Sequence, residues 1–215
     1  MACPSAPWQQ NNLLRWKFHN VGRVPMQNAV VYLITETKRM LMIRNKAKVS
    51  ASGKVHAAEW DFPGGMVDDK ERSFAAAKRE FHEEAGFPLP PPCYRQGPYN
   101  VRIDYGGTPH TRIFFVYVKE HDLLEYAKDV ANIDLLMYSG GYDLTKNKMW
   151  QSRSNNRSWV ECDRVALIKI DYIMNYMQPG GAMPMRDNSY QAFMTAADDN
   201  RVNPSGPRTK ALLKI

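Results

Sequence analysis

A chain of 215 residues, 44% hydrophobic and 11% aromatic, has the length for one domain with elaborations, or a domain plus a small appendage, and the apolar content for an ordinary core. No uninterrupted apolar run approaches the roughly 20 residues needed to cross a bilayer, and the polar, proline-bearing start (Met1 to Asn12) lacks the basic-then-apolar order of a secretory signal. Three widely spaced cysteines (Cys3, Cys93, Cys162) with no CxxC pair argue against a disulfide framework and a cysteine zinc site, so cytoplasm or nucleus is the expected location, while a net charge of +7 leaves an anionic partner open.

Residues 1–27 read as a loosely structured lead-in. Ala29 to Ile34 (AVVYLI) is a strand by its β-branched content, and Arg39 to Ile43 (RMLMI) is its hairpin partner. Asn45 to Ala58, polar and rich in small residues, reads as a loop. Glu59 to Gly65 (EWDFPGG) reads as a turn in which proline and paired glycines forbid a regular element. Ser73 to Ala85 is the strongest helix, with Phe74, Ala77 and Phe81 on a buried stripe and Gly86 and Pro88 as its stop. Asn100 to Tyr105 and Thr111 to Val118 flank Gly106-Gly107 as a second hairpin. His121 to Met137 reads as a helix, Tyr138 to Ser158 as a long loop, and Ser158 to Glu161 and Val165 to Ile170 as closing strands. A short helix is expected around Ser189 to Ala197. This order implies an α+β or α/β sandwich in which helices cover a mixed sheet.

The chemistry concentrates on one helix. Glu80, Glu83 and Glu84 stand at i, i+3 and i+4, so at about 3.6 residues per turn their side chains share one face. Three uncompensated carboxylates that close repel one another, unless divalent cations sit among them; hard cations such as Mg2+ prefer such oxygen ligands. The phenylalanines occupy the opposite face. Just before the helix, Gly64 and Gly65 let backbone approach a metal or phosphate closely and offer a carbonyl.

From Gly65 to Phe87 the residues GMVDDKERSFAAAKREFHEEAGF match the signature box of the Nudix hydrolases at every fixed polar or glycine position: Gly65, Glu71, Arg79, Glu80, Glu83, Glu84 and Gly86. At residue frequencies of roughly 5–7%, a chance match is well below about one in a million. The departure is mild: Phe81 and Phe87 stand where aliphatic residues are usual. The chain thus resembles that superfamily, strongly over the box and loosely over residues 26–172. The resemblance implies an α/β/α sandwich with a loop-helix-loop motif, a Nudix domain over residues 28–172, and a C-terminal extension, 173–215, packing on or extending it. It also implies that Glu80 and Glu84 ligate Mg2+ (Mn2+ substituting), that the Gly65 carbonyl completes the coordination, and that Arg79 holds the carboxylates through a salt bridge with Glu71. Glu83 is a further ligand or the base. Many relatives carry the base on a later loop, but Tyr126 to Ser158 contains no Glu, which leaves Glu120, Glu125, Asp143 and Glu161 as weaker candidates.

Outside the box, Trp60 is weighed first as a packing residue and second as a base-stacking platform. Lys146, Lys148, Arg153 and Arg157, interleaved with Trp150 and Trp159, form the best phosphate or nucleobase surface, against the alternative of a polar loop whose tryptophans plug the core. His110 and His121 read as ordinary residues, with no zinc pattern. Met174, Met177, Met183 and Met185 suit adaptable packing or a homodimer contact. The favoured substrate is a nucleoside-diphosphate sugar such as ADP-ribose, although the proline that often follows the box in enzymes for that substrate is replaced by Arg102. Capped RNA is close behind, on the basic flanks (six basic residues against two acids from Lys146 to Lys169), and nucleoside triphosphates come third. A Nudix-fold module that binds a nucleotide or RNA without turnover is the alternative from another class; the intact glutamates speak against it.

Overall fold

The computed structural model describes residues 28–49, 53, 55–91, 94–95, 99–102, 110–133, 135, 142–143, 162–181 and 183–198. The strands are β1 (Asn28–Thr35), β2 (Arg39–Asn45), β3 (Lys48–Val49), β4 (Val55–His56), β5 (Trp60–Asp61), β6 (Gly64–Met66), β7 (Tyr94–Arg95), β8 (Tyr99–Arg102), β9 (His110–Val118), β10 (Tyr142–Asp143) and β11 (Cys162–Lys169). The helices are α1 (Ser73–Ala85), α2 (Glu120–Ala131), α3 (Ile170–Tyr176) and α4 (Asp187–Asp198).

β1 lies at the centre because it is apolar on both faces. Ala29, Val31 and Leu33 point to one side and Tyr32 and Ile34 to the other, all buried. A strand with two covered faces reads as a continuous apolar run, as AVVYLI does. It runs parallel to β9, with Val31 opposite Phe114 and Leu33 opposite Val116, and antiparallel to β2, where Ile34 faces Met40. The sheet order is β10-β11-β2-β1-β9-β7, with β5 on β2, β6 on β1 and β8 on β9, so the sheet is mixed. On one face α1 (Ala76, Ala77, Phe81, Ala85) and α2 (Leu123, Ala127, Ala131) close a first core. On the other, α3 (Ile173) and α4 (Ala192, Phe193, Ala196) close a second with Trp60, Phe62, Met177 and Met185. The result is helices, sheet, helices: the expected sandwich.

Several boundaries differ from the sequence reading. The EWDFPGG segment is not devoid of regular structure: β5 pairs with β2 and β6 with β1, because glycines without side chains let β6 lie directly against β1. A Cβ on Gly64 would stand 2.6 Å from the Ala29 carbonyl oxygen and from Val30 Cα. Within the expected 45–58 loop, β3 and β4 form a two-stranded pair, Val49 opposite Val55. Helix α2 stops at Ala131 rather than running to Met137. Asn132 takes a left-handed cap (φ 53°), and the N–H of Ile133 turns back to the Ala127 carbonyl. The second hairpin is β8 with β9, Arg102 opposite His110, and the expected long loop holds β10 on β11. The closing strand is β11, and α3 begins at Ile170. The Gly106-Gly107 turn and the strand expected over Ser158 to Glu161 lie outside the described residues. No described helix is long and apolar enough to cross a membrane.

Phe81 is fully buried and meets Phe87 edge-on, ring centres 5.5 Å apart. Phe81→Ala is expected to cost about 3–5 kcal/mol of unfolding free energy. Val49→Ser, at a residue 66% exposed, should shift it by no more than about 0.5 kcal/mol. Urea denaturation of both variants checks the contrast.

Candidate active site

α1 sits over β6 with its apolar side on the first core, which turns Arg79, Glu80, Glu83 and Glu84 toward a cavity of about 850 Å³. Gly64 and Gly65 line the same cavity, so the face inferred from helical spacing exists. Arg79 is the organising group. Its guanidinium donates to Glu80 Oε1 (2.8 Å), to both oxygens of Glu71 (3.1 and 3.4 Å) and to the Met66 carbonyl (3.1 Å), with longer contacts to Glu83 and Asp68 at 3.5 Å. The Arg79–Glu71 bridge expected from the motif is therefore formed. Hydrogen bonding from Arg79 holds the Glu71 carboxyl below its ordinary range, and the same bond raises the Arg79 pKa further. Burial pushes Glu80 upward, Arg79 partly offsets this, and the neighbouring Glu83 and Asp68 charges add to the rise.

The glycines are required by space. A Cβ on Gly65 would come within 2.4 Å of the Glu80 carboxyl carbon, so only glycine lets that carboxylate lie against β6. The Gly64 N–H donates to Glu84 Oε2 at 2.8 Å, fixing the second carboxylate beside the same strand. Glu83 is the outermost, its side chain 58% exposed. Gly86 ends α1 in the left-handed conformation (φ 83°) that glycine adopts most cheaply.

Among the described residues, no three acidic, histidine or cysteine side chains converge as a finished metal shell. What is present is an oxygen-only donor set on one wall, with one carboxylate drawn to Arg79 and another to a backbone N–H. That set fits a hard divalent cation that keeps several waters, and the Glu80 carboxylate lies where a Gly65 side chain would stand, close against the β6 backbone.

The other candidates separate. Trp60 is only 5% exposed and packs in the second core, where its backbone pairs with the C-terminal segment: Trp60 N–H to the Pro184 carbonyl, and Arg186 N–H to the Trp60 carbonyl. It is a packing residue, not a stacking platform on the cavity. Glu120 is buried at the start of α2, bound by Arg39, Thr35 and Thr37, and Glu125 pairs with His121 at 3.3 Å; neither lines the cavity. Lys146, Lys148, Trp150, Arg153, Arg157 and Glu161 lie outside the described residues, as does the side chain of Asp143. Met177 and Met185 are fully buried core residues.

Sequence reasoning missed part of the lining. Lys46, Lys48 and His56 stand on the wall formed by β2 and the β3–β4 pair, and Asp61, Arg186, Asn188 and Ser189 on that of β5 and α4. Asp61 was legible only as a neighbour of the glycines. Its side-chain partners, Arg186 and Ser189, are 125 and 128 positions away, and nothing in local spacing marks them.

Because Glu71 is ionised more readily in the folded chain than in the unfolded one, it adds stability above its ordinary pKa of 4.5 and loses it as pH falls through the lowered folded value. Glu71→Gln should therefore be less stable than the parent at neutral pH and lack part of the parent's decline between about pH 5 and 3. Denaturant midpoints across that range test this.

A family model, the NUDIX domain, matches residues 24–130. No curated protein matches the chain. Among solved structures, it is similar to a mutT/nudix family protein from Listeria innocua (18% identity, 83% of this chain and 96% of that one, TM-score 0.43). It is also similar to a NUDIX hydrolase from Nitrosomonas europaea (14%, 83% and 91%, TM-score 0.45) and to the NUDIX domain of Shewanella oneidensis NrtR, solved with ADP ribose (11%, 83% and 90%, TM-score 0.42). With the complete box on α1, its glycines packed against the glutamates and the family model spanning this region, the chain belongs to the Nudix family of hydrolases.

Proposed function

We propose that this Nudix hydrolase is a Mg2+-dependent pyrophosphohydrolase of a nucleoside diphosphate linked to a second moiety, with a nucleotide sugar such as ADP-ribose as the favoured substrate. The observation that carries the reading is one cavity, among the described residues, that the box glutamates and the two glycines line together. Its volume of about 850 Å³ is within the usual range for a small-molecule site. Tyr32, Phe62, Ile113 and Ala192, nearly buried, close its apolar side, and Glu80, Glu83 and Glu84 line the same cavity, a carboxylate set that suits the counter-ions of a pyrophosphate.

Glu80, Glu84 and the Gly65 carbonyl would hold the cation. When bound there, Mg2+ neutralises phosphate charge and lowers the pKa of a coordinated water. The protein's own residues do the rest. Glu83, exposed to the cavity and only loosely held by Arg79 at 3.5 Å, accepts the proton of the attacking water. The water oxygen bonds to one phosphorus, the bridging P–O bond breaks, and the departing phosphate carries away the electron pair. Arg79 keeps Glu80 in place. Capped RNA is the second reading, favoured by Lys46, Lys48 and His56 along one wall of the cavity, since a polyanion needs positive charge beyond the catalytic cations.

Glu83→Gln should lower kcat by about 10²–10⁴-fold in Mg2+ with little change in KM, the scale of a lost general base. Glu84→Gln should abolish metal-dependent turnover, read by ³¹P NMR of products from ADP-ribose, cap-labelled RNA and nucleoside triphosphates side by side. Nucleotide binding without turnover in the parent would mark a binding module instead, and cap hydrolysis falling steeply with salt would reverse the substrate order. Gly65→Ala should also lose activity, because the new methyl displaces the Glu80 carboxylate.

A further inference from the structure

We propose that the face of the β3–β4 ribbon carrying Lys46, Lys48 and His56 binds a phosphate of the substrate that lies outside the pyrophosphate to be cut. For its choice of ligand class this rests on the pyrophosphohydrolase reading. The two strands form a sheet of their own, apart from the nine-stranded one. Their register sets Lys48 opposite His56 and Val49 opposite Val55. Residues directly opposite share a face, and successive residues alternate between faces. Lys48 and His56 therefore stand on one side of the ribbon and the two valines on the other. Lys48 and His56 line the cavity, as does Lys46 two positions earlier, whereas Val49 and Val55 are 66% and 71% exposed.

This is the reverse of the ordinary pattern. A ribbon covered on one side turns its apolar residues to the protein and its charges to water. Here the valines give up burial, and Lys48 repels His56 whenever the imidazole is protonated. Neither helps a ribbon that only connects β2 to β5. A bound anion turns both basic groups into partners, and Glu59, the acid lining the same stretch, leaves the positive charge in excess. The scissile pyrophosphate belongs with the cations on the opposite wall, where Glu80, Glu83 and Glu84 stand. A cavity of about 850 Å³ takes a ligand of drug size, so groups attached to the pyrophosphate reach the other walls. In a nucleotide compound the group with the required charge is a phosphate: within the chain, on a ribose or in a phosphodiester. These three sources share one chemistry, and the experiment separates them.

Binding to the full chain in Mg2+ at low salt is measured by calorimetry for three pairs of ligands, none with a hydrolysable pyrophosphate. These are α,β-methylene-ADP with the bis-methylene analogue of ATP, AMP with adenosine 2′,5′-bisphosphate, and AMP with the dinucleotide pApA. In at least one pair the ligand with the added phosphate should bind about tenfold tighter, the scale of one charge-assisted contact. The pair that shows the gain names the source of the phosphate. Lys48→Gln and His56→Gln should each cut that gain to about threefold or less, while Val49→Ser, on the outer face, should leave it within about twofold. All three changes fall at exposed residues, so folding does not decide the outcome. No gain in any pair, a gain unchanged in both basic-face variants, or an equal loss in Val49→Ser overturns the assignment. Turnover of ADP-ribose with no gain in any pair sinks this inference alone. A gain that depends on Lys48, with no turnover of any pyrophosphate compound, sinks the hydrolase reading alone.

Discussion

The site depends on one electrostatic arrangement: the Arg79 guanidinium reaching Glu71, Glu80, Glu83 and Asp68 while the two glycines bring backbone against Glu80 and Glu84. Carboxylates this close raise one another's proton affinity, as Glu83 and Asp68 do for Glu80. A single cation cannot cancel four negative groups. It can orient them, and the charge left over is the property that recruits a divalent metal. Glu71, outside the helix, pairs with Arg79 as Glu80 does, so the arginine is held between Glu71 and the glutamates of α1.

That arrangement needs a rigid base, which the doubly covered sheet supplies. β1 is buried on both faces, so its register with β9 and β6 is strongly specified; a one-residue slip would exchange the two apolar sets. β6 hangs directly from β1 through Gly64 and Gly65, and α1 packs on the same layer. The glycine strand and the helix that carries the glutamates are thus referred to one strand, and the distance between them is set by close packing rather than by a loop.

The second face of the sheet shows a different logic. Trp60, weighed both as a packing residue and as a base-stacking platform, is buried in the second core, and its backbone forms a parallel bridge with Met185 just before α4 begins. The helix anticipated around Ser189 to Ala197 is present as Asp187–Asp198, buried through Ala192, Phe193 and Ala196. Its first turn also brings Asn188 and Ser189 to the cavity. One short element therefore serves both the core and the site.

The local features were readable from the residues themselves. The acidic face of α1, its glycine stop, the apolar run of β1 and the Arg79–Glu71 pairing all follow from spacings of a few residues, where helical and strand geometry leave little freedom. Strand formation by the two glycines was misread, because sequence shows their conformational liberty but not the neighbouring strand that makes it useful. The end of α2 was missed because Asn132 acts as a left-handed cap only once the chain turns there. Above all, the meeting of Asp61 with Arg186 and Ser189, across 125 and 128 positions, was beyond local reading. Periodicity describes which face of an element is apolar, but only burial of those faces against one another decides which distant side chains share a cavity.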